Sequence, residues 1–401
     1  MPKLGTGQQT LQAAQCRRVN ARSPRTVFLT LLGLLVLAGL DQTLLSAALP
    51  GVARQLHGES LQVWAFAVYL LAALMALPLH AALLPRCGLQ ALLRVAILTS
   101  ALGAAAAAGA HSMAWLVGAR GLHGLGSGAL MLLAQLVVHS RPAAAEQRQR
   151  LSGLLGLAYG VAVMAGPQLG AHLADASRWR WAFAVQVPLL LLAIPLLGRE
   201  APRQPLQGLA DPPPRRLLLS LRLGLAGIGG VALYVPLVFL PRHLQGSWQL
   251  GAAGSARQLL PMLLGLLLGA VAARRRLRAG AAGHRLAVVA LVLQAMGLLG
   301  AAALLALAAP QPLALGGALA VLGLGLGMLA PAGLALDPHA TDSPDLRWHL
   351  AGPQMARLFG GALGLVTLSR AVQHGQLPGA FVLAGSLAVL GAVLAARLGR
   401  P

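Results

Sequence analysis

The sequence predicts an all-α polytopic membrane protein of twelve transmembrane helices arranged in two six-helix halves. Three observations lead there: a composition too apolar for a soluble domain, a series of long apolar runs, and a charge pattern that alternates between the loops joining them. Hydrophobic residues make up 57% of the 401-residue chain and charged residues 10%. A soluble domain carries about 25% charged residues. An apolar run of about 18 residues or more is long enough to cross a bilayer as a helix, and lipid-exposed backbone must satisfy its own hydrogen bonds.

The first six runs cover residues 27–49, 63–84, 91–110, 113–138, 151–174 and 181–198, and the second six 217–240, 252–273, 285–308, 312–336, 351–372 and 378–398. The basic segment before the first run resembles a leader. That run, however, is longer than a leader's apolar core, contains Asp41 and is followed by further spans, so it reads as an uncleaved first helix. Between the sets lies REAPRQPLQGLADPPPRR, rich in proline and charge, which reads as an exposed linker. The expected organisation is a cytoplasmic tail 1–26, a first half 27–198, a cytoplasmic linker 199–216 and a second half 217–398. Two such halves form the layout of parallel membrane repeats, with a binding site at their interface.

The net charge of +22 does not point to nucleic acid, because the arginines sit between apolar runs and no aromatic residues interleave with them. With the N-terminus inside, cytoplasmic segments hold most of the basic residues, including Arg17, Arg18, Arg22, Arg25, Arg274, Arg275, Arg276 and Arg278. The opposite side keeps Arg54, Arg178, Arg180, Arg242 and Arg370. This positive-inside bias places both termini in the cytoplasm; the expected location is the inner (cytoplasmic) membrane. The two cysteines, Cys16 and Cys87, give neither a disulfide framework nor metal-ligand spacing.

Of the nine acidic residues, only Asp41 falls inside a spanning run. A carboxylate at that depth costs about 3 kcal/mol or more, so it must pair, titrate or face water. It is a functional candidate, the alternative being a structural aspartate locked to an arginine. Three arginines also lie in spans: Arg120, Arg257 and Arg357. Steps of about 100° per residue set Arg120, His123, Ser127, Met131 and Gln135 on one face of the fourth helix. Such a polar stripe is expected to line water or the partner half, close packing through the neighbouring glycines being the alternative. Asp41 and Arg120 lie at similar depths, about 12 and 10 Å from the outer ends of their helices. If the helices are neighbours the two can pair, and protonating Asp41 would release Arg120.

These residues also carry a resemblance. LDQTLLSAALP (40–50) resembles the first-span signature of major facilitator superfamily drug:proton antiporters, and ARGLHGLGSGAL (119–130) their fourth-span motif, with Arg120 on the motif arginine. GLAYGVAVMAGPQLGAHL (156–173) resembles the fifth-span antiporter motif through Gly160, Gly166, Pro167 and Gly170, and RWRWAFAVQVPLLLLA (178–193) the segment after it. MARLFGGALGLVTL (355–368) is similar to the family's glycine-rich penultimate span. The fourteen-span branch is the nearest in pattern, yet here the linker 199–216 stands where that branch has two extra spans. The gate loop between spans two and three departs as well. In ALLPRCGLQALL, Ala81 and Pro85 replace the motif's first glycine and its acid, and only Arg86 and Gly88 persist. In the superfamily that loop latches the cytoplasmic gate through charge pairs.

The resemblance implies a secondary transporter that exports small organic compounds or drugs in exchange for protons, by alternating access. Its partners are then a small-molecule substrate, protons and the lipid bilayer, with no cofactor and no nucleic acid. Asp41 and Arg120 would be the proton-coupling pair, and His123, Ser127, Met131 and Gln135 would line the cavity. The alternatives are a transport-incompetent relative acting as a membrane sensor or interaction protein, and, with least support, a membrane-embedded enzyme. LDPHATDSPDLRWH (336–349) gathers Asp337, His339, Asp342, Asp345 and His349 but reads as a loop with Ser343 capping the next helix, so no metal site is expected. GLGSG (124–128) has no preceding strand and is not a dinucleotide loop.

Overall fold

A computed structural model describes residues 23–140, 145–174, 178–198, 221–307, 309–336 and 346–398. Most of the N-terminal tail, the linker 199–216 and residues 337–345 of the acidic cluster lie outside the described residues. Twelve helices in the described residues are long and apolar enough to span a membrane. The first half contains α1 (Pro24–Gln55), α2 (Gln62–Cys87), α3 (Leu89–Ala108), α4 (Met113–His139), α5 (Ala145–His172) and α6 (Trp179–Leu197). The second half contains α7 (Leu221–Gly246), α8 (Ala252–Arg278), α9 (Gly283–Leu305), α10 (Pro312–Ala335), α11 (Leu346–Gln373) and α12 (Leu377–Leu398).

Several helices outrun the apolar segments that announce them, because hydrogen bonding continues past the hydrocarbon until a cap or turn stops it. In α1 the Ser23 hydroxyl accepts from the Thr26 amide and Pro24 occupies the first turn, which together start the helix ahead of residue 27. Gly88, at φ +76°, ends α2 and opens α3; a left-handed backbone there favours glycine. The sixth span, expected as one helix over 181–198, is two segments, Trp179–Ala184 and Gln186–Leu197. Pro188 has no amide hydrogen to offer the Ala184 carbonyl, and the ladder breaks at Val185.

Packing follows one plan twice. In the first half α1 packs on α5, α2 on α4, α3 on α4 and α3 on α6. In the second, α7 packs on α11, α8 on α10, α9 on α10 and α9 on α12. The same offset relates the contacts between halves, α2 with α11 and α8 with α5. The resulting pseudo-twofold arrangement leaves α1, α2, α4, α5, α7, α8, α10 and α11 around the centre. Leu98, Leu102, Leu383 and Leu390, on α3 and α12, are exposed at the periphery, where a soluble protein would place polar groups.

A sequence repeat that escapes hydropathy underlies this plan. GLGSG in α4 (124–128) and GLGLG in α10 (323–327) share their glycines. A Cβ on Gly124 would lie 2.4 Å from the Tyr69 oxygen of α2, and one on Gly126 would lie 2.2 Å from the Ser100 nitrogen of α3. The matching positions Gly323 and Gly325 would meet the Met262 oxygen of α8 at 2.0 Å and the Ala290 oxygen of α9 at 2.4 Å. Glycine is required because two helices approach from either side of one.

Candidate functional site

Asp41 sits mid-way along α1 and Arg120 on α4, and neither side chain is exposed. Arg120 Nη1 donates to Asp41 Oδ1 at 2.7 Å, and the guanidinium stacks 4.0 Å from the centre of the Tyr69 ring of α2. Arg120 is therefore held by an anion and by a ring face. Asp41 Oδ2 accepts no hydrogen bond from the described residues. His123, one turn further along α4, places Nδ1 3.5 Å from Asp41 Oδ1 and meets the Tyr69 and Phe183 rings edge-on, each at 6.2 Å between centroids. That distance exceeds an N–H···O hydrogen bond, so His123 is a close neighbour of the pair and not a ligand of it.

Beside the pair lies a central cavity of about 10 Å³, the space of a single water. Ser127 and Met131 line it; His123 and Gln135 do not. The helical phase that groups these four residues is correct, but α4 is wrapped on several sides. His123 is enclosed by the ion-pair cluster, and Gln135 lies beyond the cavity, with its backbone oxygen accepting from His139. Ser127 also exchanges a 2.8 Å hydrogen bond with the Tyr69 hydroxyl, tying the cavity wall to the ring that supports Arg120.

The remaining lining comes from α1, α2, α5 and α11 and includes Gln42, Tyr69, Tyr159, Gln354 and Leu358. Here lies the feature that sequence reading missed. All three tyrosines of the chain, Tyr69, Tyr159 and Tyr234, converge on the centre. The Tyr159 hydroxyl donates to Gln42 Oε1, and Gln42 Nε2 donates to the Tyr234 hydroxyl at 2.5 Å, joining the first half to α7 of the second. Arg357 of α11 lies near both hydroxyls and donates to Gln354 Oε1 at 2.8 Å. The scarcity of tyrosine, with every copy inside a span, was the available signal.

Gly166 and Gly170 of α5 seat that helix against α1: a Cβ would meet Thr43 Oγ1 at 2.0 Å and the Leu44 oxygen at 1.8 Å. Gly160 instead faces α8 across the interface, 3.1 Å from Leu267 Cδ2 by the same measure. Pro167 lies within an α5 that continues to His172. At the α2–α3 turn Arg86 is exposed and Gly88 forms the turn itself. The contact between halves at this end is made higher on α2, where Arg347 Nη1 of α11 donates to the Ala81 oxygen at 2.8 Å. At the opposite end Gln245 Nε2 donates to the Ala47 oxygen at 2.9 Å and Gln168 Nε2 to the Ala256 oxygen at 2.7 Å. The halves thus touch on both sides of the cavity.

Residues 31–345 match the model of the Major Facilitator Superfamily. The chain belongs to this superfamily. Among curated relatives, the efflux pump FUS6 of Gibberella fujikuroi is 32% identical over 162 residues, covering 40% of this chain and 29% of that protein. The multidrug transporter MdtP of Bacillus subtilis is 31% identical over 182 residues, covering 44% of this chain and 33% of its own. The matched stretches thus span about a third or less of these relatives. The superfamily fold is also seen in the xylose transporter XylE of E. coli in a partially occluded inward-open conformation, with a TM-score of 0.70 over 94% of this chain and 97% of that one, at 16% identity. As a superfamily member with twelve candidate spans, the chain is a multi-pass membrane protein with two six-helix halves.

Proposed function

We propose that the chain exports small organic compounds in exchange for protons by alternating access, with Asp41 as the proton-responsive group and Arg120 as its partner. The carrying observation is the fully buried Asp41–Arg120 pair at 2.7 Å, which joins two spanning helices. Two charges in a low-dielectric core hold each other; neutralising one strands the other and favours a rearrangement that rehydrates it. Asp41 Oδ2 makes no hydrogen bond to the described residues and is the oxygen on which a proton would sit. The names of the relatives, an efflux pump and a multidrug transporter, support export.

Alternating access needs a closing contact on each side of the cargo. On the side that the arginine bias assigns to the cytoplasm, the acid of the family's gate loop is replaced by Pro85. The Arg347–Ala81 hydrogen bond supplies a contact between the halves on that side. This favours a working transporter over a silent relative. The membrane is the inner membrane on this reading, with both termini in the cytoplasm.

The test is efflux of a panel of fluorescent organic compounds from cells expressing the chain. Export that collapses with a protonophore and is absent in Asp41→Asn is expected. Export that persists in both conditions removes the proton-coupled reading, and its absence for the whole panel in the wild-type chain removes the export reading.

A further inference from the structure

We infer that the centre of the bundle receives an organic carboxylate, with Arg357 as the cation that binds it, so that the compound transported carries an acidic group. This rests on the transporter reading above and adds the class of cargo. It begins from charge balance in the spans. Arg120 is neutralised by Asp41. Arg257 is exposed near the start of α8, where a long side chain reaches the interface. Arg357 lies mid-way along α11, and no carboxylate among the described residues pairs with it. A cation at that depth is costly and marks a functional position.

Among the described residues its partners are neutral. Nη2 donates to Gln354 Oε1, the Tyr159 hydroxyl is within hydrogen-bonding reach of the guanidinium with Tyr234 nearby, and Nε has no acceptor among the described residues. The hydrogen bonds nearby run in one direction. Tyr159 spends its proton on Gln42, and Gln42 spends an amide proton on the Tyr234 oxygen. None of the described hydrogen bonds uses the Tyr234 proton as donor. The cluster is therefore rich in donors and short of acceptors. A carboxylate is the ligand that accepts only, and its two oxygens match the planar fork of an arginine.

The location fits a cargo site. Gln42, Tyr159 and Gln354 line the central cavity, together with apolar Ala38, Met131 and Leu358. An acid group at Arg357 would thus sit against polar lining while the body of the molecule meets apolar wall. With space for only one water, the cavity must widen as the halves part, and the Gln42–Tyr234 hydrogen bond is a bond that crosses between them. Gln42 also follows Asp41 directly in α1, which sets the cargo site and the proton site on consecutive residues of one helix.

The test uses the purified full chain in lipid nanodiscs, with thermal midpoints read from tryptophan fluorescence. The probes are benzoate, 1-naphthoate and decanoate, each paired with the amide and the primary amine of the same skeleton. At least one carboxylate is expected to raise the midpoint while its amide and amine do not. Its affinity is expected to fall about tenfold or more in Arg357→Gln, the scale of one lost charge-assisted hydrogen bond, and less in Tyr234→Phe. Without ligand, Arg357→Gln is expected to be as stable as the parent or more so, because it removes an unneutralised charge from within a span. If that variant does not fold, Tyr234→Phe carries the same comparison. No carboxylate acting differently from its amide, an amine acting in its place, or carboxylate binding undiminished in both variants would overturn the inference. Binding of a carboxylate with no proton-driven flux in proteoliposomes would retain this site and reject the export reading. Proton-driven flux of amines alone would do the reverse.

Discussion

Replacing Asp41 by asparagine keeps the shape of the side chain and deletes the charge that holds Arg120. Asp41→Asn is expected to fold and insert but to lose the dependence of transport on the proton gradient, measured as efflux with and without a protonophore. Arg120→Ala leaves a carboxylate buried without a cation, and a loss of about 3–5 kcal/mol of stability is expected. The double variant is expected to recover part of that loss, with a coupling of about 1–3 kcal/mol in a thermal-denaturation cycle. Strictly additive effects would show that the two residues do not act as a pair. Asp41 and Arg120 were legible in the sequence because each is a charge inside a hydrocarbon-length run. His123 was legible as polar and correctly phased, but helical phase does not say which neighbour stands opposite, and that neighbour is Asp41, not the cavity. Gln42, Tyr159 and Tyr234 stayed hidden because neutral polar residues barely disturb hydropathy, and their convergence from three helices is a property of the fold.

Helices meet here through positions that have no side chain. Gly327→Val would place a Cβ 1.9 Å from the Leu266 oxygen of α8, and Gly128→Val one 2.5 Å from the Ala73 Cα of α2. Each is expected to cost about 1–3 kcal/mol or more, read as a lower thermal midpoint in detergent. Gly33, which has nothing near the missing Cβ, is the control and is expected to tolerate alanine. At this scale the sequence disclosed much: all twelve runs correspond to helices, since each is long enough to span and none has an alternative in lipid. The break in α6 was present in the sequence as Pro188 but not drawn from it. The shared GLGxG pattern of α4 and α10 was equally visible, yet apolar periodicity takes no account of glycines.

Orientation and movement belong to the whole molecule. Cys87 is exposed at the α2–α3 turn, which the arginine bias assigns to the cytoplasm. In a Cys16→Ser background, a membrane-impermeant maleimide is expected to label Cys87 in inverted vesicles and not in intact cells. Labelling of intact cells would reverse the topology. Alternating access also requires that the contacts at the two ends open in turn. Cysteines replacing Ala47 and Gln245, or Ala81 and Arg347, are expected to stop transport when cross-linked and to restore it on reduction. The twinned packing of α4 and α10 has a last consequence. Where α4 presents Arg120, His123 and Ser127, the corresponding places on α10 hold Leu319, Leu322 and Leu326. Two limbs cut to one pattern are thus wired differently: one carries the ionic trigger, and its twin is greased at the same station. On the readings proposed here, the proton speaks through the wired limb alone, and its message reaches the other half through the seam at Gln42 and Tyr234.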